Sequence, residues 1–177
     1  MNAKTPTAKK FKTAKPPKGM KTRPIIGWRE WVGLSELGVD RLKAKIDTGA
    51  RTSAIHAFHI RPFSDAGTEY VSFKLHPAQR HRVPEVECIC PVRDQRKVKS
   101  SNGKQELRYV IETHATVGAF TWPIEITLAD RDQMGFRMLL GREAVRRHFI
   151  IEPGRSYLGA RISALYPSLK ERKLAPK

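Results

Sequence analysis

Cysteine is scarce in this chain, with two in 177 residues, Cys88 and Cys90. Neighbours that close rarely bridge to each other, and no spaced set exists for a disulfide framework. A reducing, cytoplasmic setting is the expectation. No apolar run approaches the ~20 residues needed to span a bilayer, and no apolar stretch follows the N-terminal basic residues, so a secretory signal and a membrane role are not expected. The chain also lacks a Gly-rich loop ending in Gly-Lys-Ser/Thr and a His-Glu-x-x-His pair, the local signatures of nucleotide and zinc chemistry. His56 and His59 lie three apart and Cys88-x-Cys90 is a poor zinc spacing, so neither a metal nor a cofactor is expected. No internal repeat is visible.

Acidic residues are outnumbered, 17 against 34 Lys and Arg, for a net charge of +17. Residues 1–23 contain no acid and eight bases (Lys4, Lys9, Lys10, Lys12, Lys15, Lys18, Lys21, Arg23). Removing those eight charges leaves +9 on the remainder, so the part expected to fold is basic as well. Such a field favours an acidic partner: nucleic acid, an anionic surface or a glutamate-rich polypeptide. In residues 1–23 the only large apolar side chains besides Met1 are Phe11 and Met20, too few to offset ordering entropy. That segment reads as a disordered tail, either simply solvated or an arm for RNA or the ribosome. Residues 166–177 read as a second tail, leaving 24–165 as one domain.

That region reads as mainly β. Ile25 to Trp28 and Trp31 to Leu34 open it, with a turn near Glu36-Leu37-Gly38. Leu42-Lys43-Ala44-Lys45-Ile46 and Tyr70 to Leu75 alternate apolar and polar residues, the mark of half-buried strands. Val86 to Val92 is a short strand; Cys88 and Cys90 are expected to split between core and solvent. Asn102-Gly103 favours a tight hairpin turn between Arg96–Lys99 and Glu106–Ile111. A second hairpin turns at Gly118-Ala119, and Pro123 in its return strand predicts an edge or a break. Arg137 to Gly141 is another apolar strand, and Arg142 to Arg147 gives a short helix. Phe149–Glu152 and Ser156–Leu158 complete the pattern of a barrel or sandwich. Trp28, Trp31 and Trp122 read first as core residues, and second as surfaces on which bases could stack.

Chemistry concentrates at Lys45-Ile46-Asp47-Thr48-Gly49-Ala50-Arg51-Thr52-Ser53-Ala54. A strand delivers one carboxylate, Asp47, into a turn of small residues. Asp47 can polarise a water, Thr48 can fix the loop by hydrogen bonding, and Gly49 leaves the carboxylate open to backbone N–H groups. Ala50 leaves room for a substrate chain. Asp, Thr and Gly are also ordinary turn residues, so a strand-ending turn is the alternative reading. About ninety residues on, Leu139-Leu140-Gly141-Arg142 supplies an apolar strand ending in Gly and Arg.

On these two motifs the chain resembles the retropepsin-like aspartic peptidases. It is similar from Gly27 to Leu158 to a bacterial branch that has carried the label "ATP-dependent zinc protease". Gly27-Trp28-Arg29-Glu30 and Trp122-Pro123-Ile124-Glu125 are further shared-looking pieces. Some members of that branch are associated with ATP-grasp enzymes that add glutamates to proteins. The resemblance implies a closed or partly open acid-protease β-barrel, with Asp47 catalytic, Thr48 and Gly49 its loop partners, and Leu139, Leu140, Gly141 and Arg142 supporting the site. Retroviral members usually carry Asp directly after Asp-Thr-Gly-Ala, whereas this chain carries Arg51, which suits an acidic substrate.

A chain with one such aspartate needs a second carboxylate, most simply from a two-fold homodimer. The Lys99 to Gln105 tip is a candidate flap, with Lys99 and Lys104, like Arg96 and Lys97 below them, able to meet acidic side chains. Peptide-bond hydrolysis of an acidic or glutamate-extended polypeptide is the leading expectation. The alternatives are a basic barrel that binds nucleic acid or the ribosome, and an inactive peptidase fold acting as a partner protein.

Overall fold

The computed structural model describes residues 23–79, 81–99, 103, 105–130 and 135–161. The expected tails, apart from Arg23, lie outside these residues. Among the described residues twelve strands, a 3-10 turn at Ser35–Leu37 and a short α-helix follow in order: β1 Ile25–Gly27, β2 Arg29–Leu34, β3 Val39–Asp47, β4 Ser53–His56, β5 Phe58–Asp65, β6 Thr68–Leu75, β7 Val86–Pro91, β8 Asp94–Lys99, β9 Gln105–Val117, β10 Phe120–Ala129, β11 Met138–Gly141, α1 Arg142–Val145 and β12 Ile150–Glu152. The main sheet runs β10-β4-β11-β3-β2-β9-β8, and β10 also pairs with β9. That second pairing closes six strands into a ring, from which β8 projects along the free half of β9. The β2–β9 link is narrow, a single pair at Gly33 and Thr116. The molecule is mainly β, with a partly closed barrel and a short helix after the second glycine motif, as expected.

Alternation explains the walls. In β3, Val39, Leu42, Ala44 and Ile46 turn inward while Arg41 and Lys45 are exposed. Side chains two apart share a face of a strand, so each wall presents one apolar and one wet side. Trp122, Phe73, Leu42, Ile126 and Leu140 are among the largest fully buried side chains. The Trp122 indole N–H donates to the Ala144 carbonyl at 2.9 Å, which satisfies its polar edge inside the core.

Several expectations change. The two hairpins share one 13-residue strand, β9, which pairs with β8 over its first half and β10 over its second. Pro123 leaves β10 unbroken; it lies opposite His114, and β4 joins β10 only from Ile126 onward, so the missing N–H falls at a local edge. Cys88 and Cys90 are both buried, not split between core and solvent, because residues i and i+2 share a face. Burial pushes their thiols up to about 11 and about 12.

Ser156–Leu158 forms no strand. Instead this segment straps β2: Trp28 N–H donates to Arg155 O and Tyr157 N–H donates to Arg29 O, each at 2.9 Å. The Glu30 carboxylate, 1% exposed, anchors the strap. It accepts the N–H groups of Gly27 and Leu158 at 2.7 Å and Gly159 at 3.1 Å. Among the described residues no helix is long and apolar enough to cross a membrane.

Candidate active site

β3 carries Asp47 at its last position. Ile46 is buried, Asp47 half-buried, and Thr48 and Gly49 are exposed at the loop tip. β11 runs parallel beside β3, with Leu140 opposite Ile46 and Gly141 opposite Asp47. The two sequence motifs, about ninety residues apart, therefore meet side by side.

Backbone contacts between the motifs fix the loop. A Cβ at Gly141 would stand 2.5 Å from Thr52 C and 2.7 Å from its O, so only glycine permits this approach. Gly141 N–H donates to the buried Ser53 hydroxyl at 3.1 Å, and the Thr127 hydroxyl donates to Ser53 O at 3.0 Å. The first N–H groups of α1, which have no partner within the helix, close onto the loop: Arg142 N to Ala50 O at 2.8 Å and Glu143 N to Arg51 O at 3.1 Å. The Arg142 guanidinium reaches Thr48 O at 2.9 Å. Asp47 Oδ1 accepts Ala50 N–H at 3.2 Å. A Cβ on Gly49 would sit 3.4 Å from that oxygen, in contact with it, so glycine keeps this side of the carboxylate open.

A groove of about 460 Å³ borders the loop. Arg51, Thr52 and Ser53 form one wall, Glu143 and Ala144 another, and Arg93, Arg96, Glu112 and Glu125 line it from the base of the β8–β9 hairpin and from β10. Most of its charges are paired: Arg96 with Glu125 at 2.7 Å and Asp94 at 2.6 Å, Arg93 with Glu112 at 3.6 Å, and Glu143 with Arg146 at 2.9 Å. Arg51 is exposed and makes no ion pair among the described residues. Glu112 stands opposite Glu125 in register. Burial raises its carboxyl above the ordinary range, Arg93 opposes this and Glu125 adds to it.

Of the expected site residues, Asp47, Thr48, Gly49, Ala50, Arg51, Leu140, Gly141 and Arg142 converge, with half-buried Leu139 on the same strand as Leu140 and Gly141. The hairpin tip is different. Lys99 ends β8 opposite Gln105, its side chain is not described, and Lys104 lies outside the described residues. Arg96, lower on the hairpin, is the member of that basic set that reaches the groove. Sequence reading missed Ser53, Glu112 and Glu125 as groove residues. Glu112 was visible only as a polar position in the alternation of β9 and Glu125 only as the end of the Trp122-Pro123-Ile124-Glu125 motif, which says nothing of their meeting. Among the described residues no three His, Cys, Asp or Glu side chains are placed to share a metal ion.

Comparison with known proteins places this fold in a family. The family model described as "Retropepsin-like aspartic endopeptidase RimB" matches residues 25–162. A "Probable alpha-L-glutamate ligase" of Shewanella pealeana is 49% identical over 133 residues, 75% of this chain and 29% of that protein. A protein of the same name from Parasynechococcus marenigrum is 40% identical over 159 residues, 87% of this chain and 34% of its own length. The chain thus spans about a third of these relatives. A crystal structure of a Legionella pneumophila protein of unknown function shares the fold, with a TM-score of 0.66 and 22% identity over 78% of this chain and 99% of that one. With the Asp47 loop and Gly141 in register and the family match spanning the barrel, the chain belongs to the RimB-like family of retropepsin-like aspartic endopeptidases.

Proposed function

We propose that this protein is an aspartic endopeptidase whose catalytic pair consists of Asp47 from each of two identical subunits, acting on acidic, glutamate-bearing polypeptides. The observation that carries the reading is the placement of Asp47 on an exposed loop that β11 and α1 pin from behind. A carboxylate so held has little freedom left to lose on reaction, which is what positional catalysis requires.

Two carboxylates at a two-fold axis share one proton, because like charges a few ångströms apart resist double ionisation. The ionised member takes a proton from water as the oxygen attacks the peptide carbonyl. Its protonated partner donates to the carbonyl oxygen, and the resulting tetrahedral species collapses with proton transfer to the leaving nitrogen. One chain supplies half of this machinery. A contact for the second copy is offered by β1 and β12, which among the described residues pair only with each other. Ile25 and Ile150 are in register there, 52% and 46% exposed. Trp28, immediately after β1, accepts the N–H of Ile46 at 2.9 Å, so this small sheet lies beside the base of the Asp47 loop.

Arg51, exposed at the groove and without an ion pair among the described residues, supports an acidic substrate, since a guanidinium binds carboxylates with two parallel hydrogen bonds. The relatives' name, probable alpha-L-glutamate ligase, fits glutamate-bearing chains as the material such a domain would meet. Their ligase activity belongs to proteins about three times as long. The test compares wild type with Asp47→Asn on glutamate-rich and neutral peptides. The expected outcome is cleavage by wild type, preferring acidic peptides, and a loss of about 10³-fold or more in the variant at unchanged melting temperature. Equal cleavage by the two proteins would remove Asp47 from the chemistry.

A further inference from the structure

The outer face of β2–β3 carries a line of cations that the reading above does not use. Arg29 lies opposite Lys45 and Trp31 opposite Lys43, so all four side chains share that face, with Arg41 two residues from Lys43. Their stacking is ordered. The Arg41 guanidinium lies 4.1 Å from the centre of the Trp31 ring, and Tyr157 stacks on Trp31 at 5.5 Å with 21° between the planes. The Arg29 guanidinium sits 5.2 Å from Tyr157 and 4.6 Å from Trp28. A cation held against an aromatic face keeps its orientation while its N–H edge still points to solvent.

Two further observations bear on this face. Four arginines elsewhere are neutralised: Arg93, Arg96, Arg108 and Arg146 each pair with a carboxylate. Arg29, Arg41, Lys43 and Lys45 make no ion pair among the described residues. Beside Trp31 there is also a groove of about 310 Å³, lined by Gly33, Ser35, Asp40, Thr116 and Gly118 as well as by Trp31 and Arg41. That volume is at the small end of ligand pockets and suits one planar polar group better than a folded chain.

We propose that this face binds single-stranded RNA, with phosphates on Arg41, Lys43 and Lys45 and one unstacked base in the groove against Trp31. Alternate cations along one strand track a backbone of regularly spaced anions. Aromatic edges and backbone polar groups beside them serve bases, which an acidic polypeptide does not have. The proposal is independent of the peptidase reading, since it uses no residue of the Asp47 loop.

The full chain is titrated into a labelled, unstructured RNA of about a dozen nucleotides, within the site sizes of single-strand binding barrels, at two salt concentrations. The triple variant Arg41→Gln, Lys43→Gln, Lys45→Gln is compared with Arg61→Gln, Arg82→Gln, Arg147→Gln, which removes the same charge from other exposed positions. Melting temperatures confirm that both fold. The β3 triple should bind at least about 10-fold more weakly, with a salt slope smaller by about 2, the value for three lost phosphate contacts. The control triple should stay within about 3-fold of wild type, as loss of distant charge alone weakens binding only modestly. Equal losses in the two triples, wild-type affinity in the β3 triple, or no RNA binding by wild type would each overturn the assignment. So would a polyglutamate peptide that displaces the RNA and binds more weakly to the β3 triple.

Discussion

His148 follows α1 and leans on Phe120, Trp122 and Phe149, with ring centres 5.5, 5.9 and 6.3 Å away. Its Nδ1 is buried without a hydrogen-bond partner among the described residues. Burial, with a smaller push from the Arg147 charge, lowers its pKa below the ordinary 6.5. The unfolded chain therefore binds this proton at a pH where the folded chain does not. The stabilising contribution is fully present above about 6.5 and is lost as pH falls toward the folded value. Urea unfolding at about pH 7.5 and about pH 5.5 should show a falling midpoint in wild type and a flatter response in His148→Leu, which has no such proton to gain. An equal fall in both would place the acid sensitivity elsewhere.

At the scale of elements, the strap across β2 shows how one residue can hold a segment 128 positions away in sequence. Glu30→Gln keeps the size but replaces one acceptor oxygen with an N–H₂ donor that faces backbone donors. The expected cost is about 2 kcal/mol, read by denaturant unfolding, because a buried charge-assisted bond is lost and a donor is left unmatched. A change below about 0.5 kcal/mol, the level of an ordinary surface substitution, would mean that the strap holds without its anchor. This role was not legible in the sequence, where Glu30 stood only as the last residue of the Gly27-Trp28-Arg29-Glu30 motif, with no sign of what it holds. By contrast β3 and β6 were legible because one side is wet and the other dry, which writes alternation into the chain. β4 was not: Ser53, Ala54, Ile55 and His56 are all buried, so both faces are dry and no period remains. The site divides in the same way. Asp47 and Gly141 were visible because their motifs are local. The Arg96–Glu125 pair depends on how the hairpin curls over β10, which local pattern does not encode.

For the whole molecule, the proposed function ties the net charge and the lone Asp-Thr-Gly loop to acidic partners and a second copy of the chain. The exposed Ile25–Ile150 pair is where the account places that copy. Ile150→Asp should shift the protein toward monomer in sedimentation and lower turnover in parallel, since a charge at the centre of an apolar contact must be desolvated to dimerise. A variant that dimerises like wild type would move the interface to another surface.

The central claim is that each chain provides half of a carboxylate pair, and subunit mixing tests it most directly. Wild type is mixed with an equal amount of Asp47→Asn, allowed to exchange subunits, and assayed on a glutamate-rich peptide. Random reassortment leaves about half of the wild-type chains facing a wild-type partner, so activity per wild-type chain should fall to about one-half. Activity per wild-type chain that stays constant at every mixing ratio would mean that one Asp47 suffices, and would contradict the shared site.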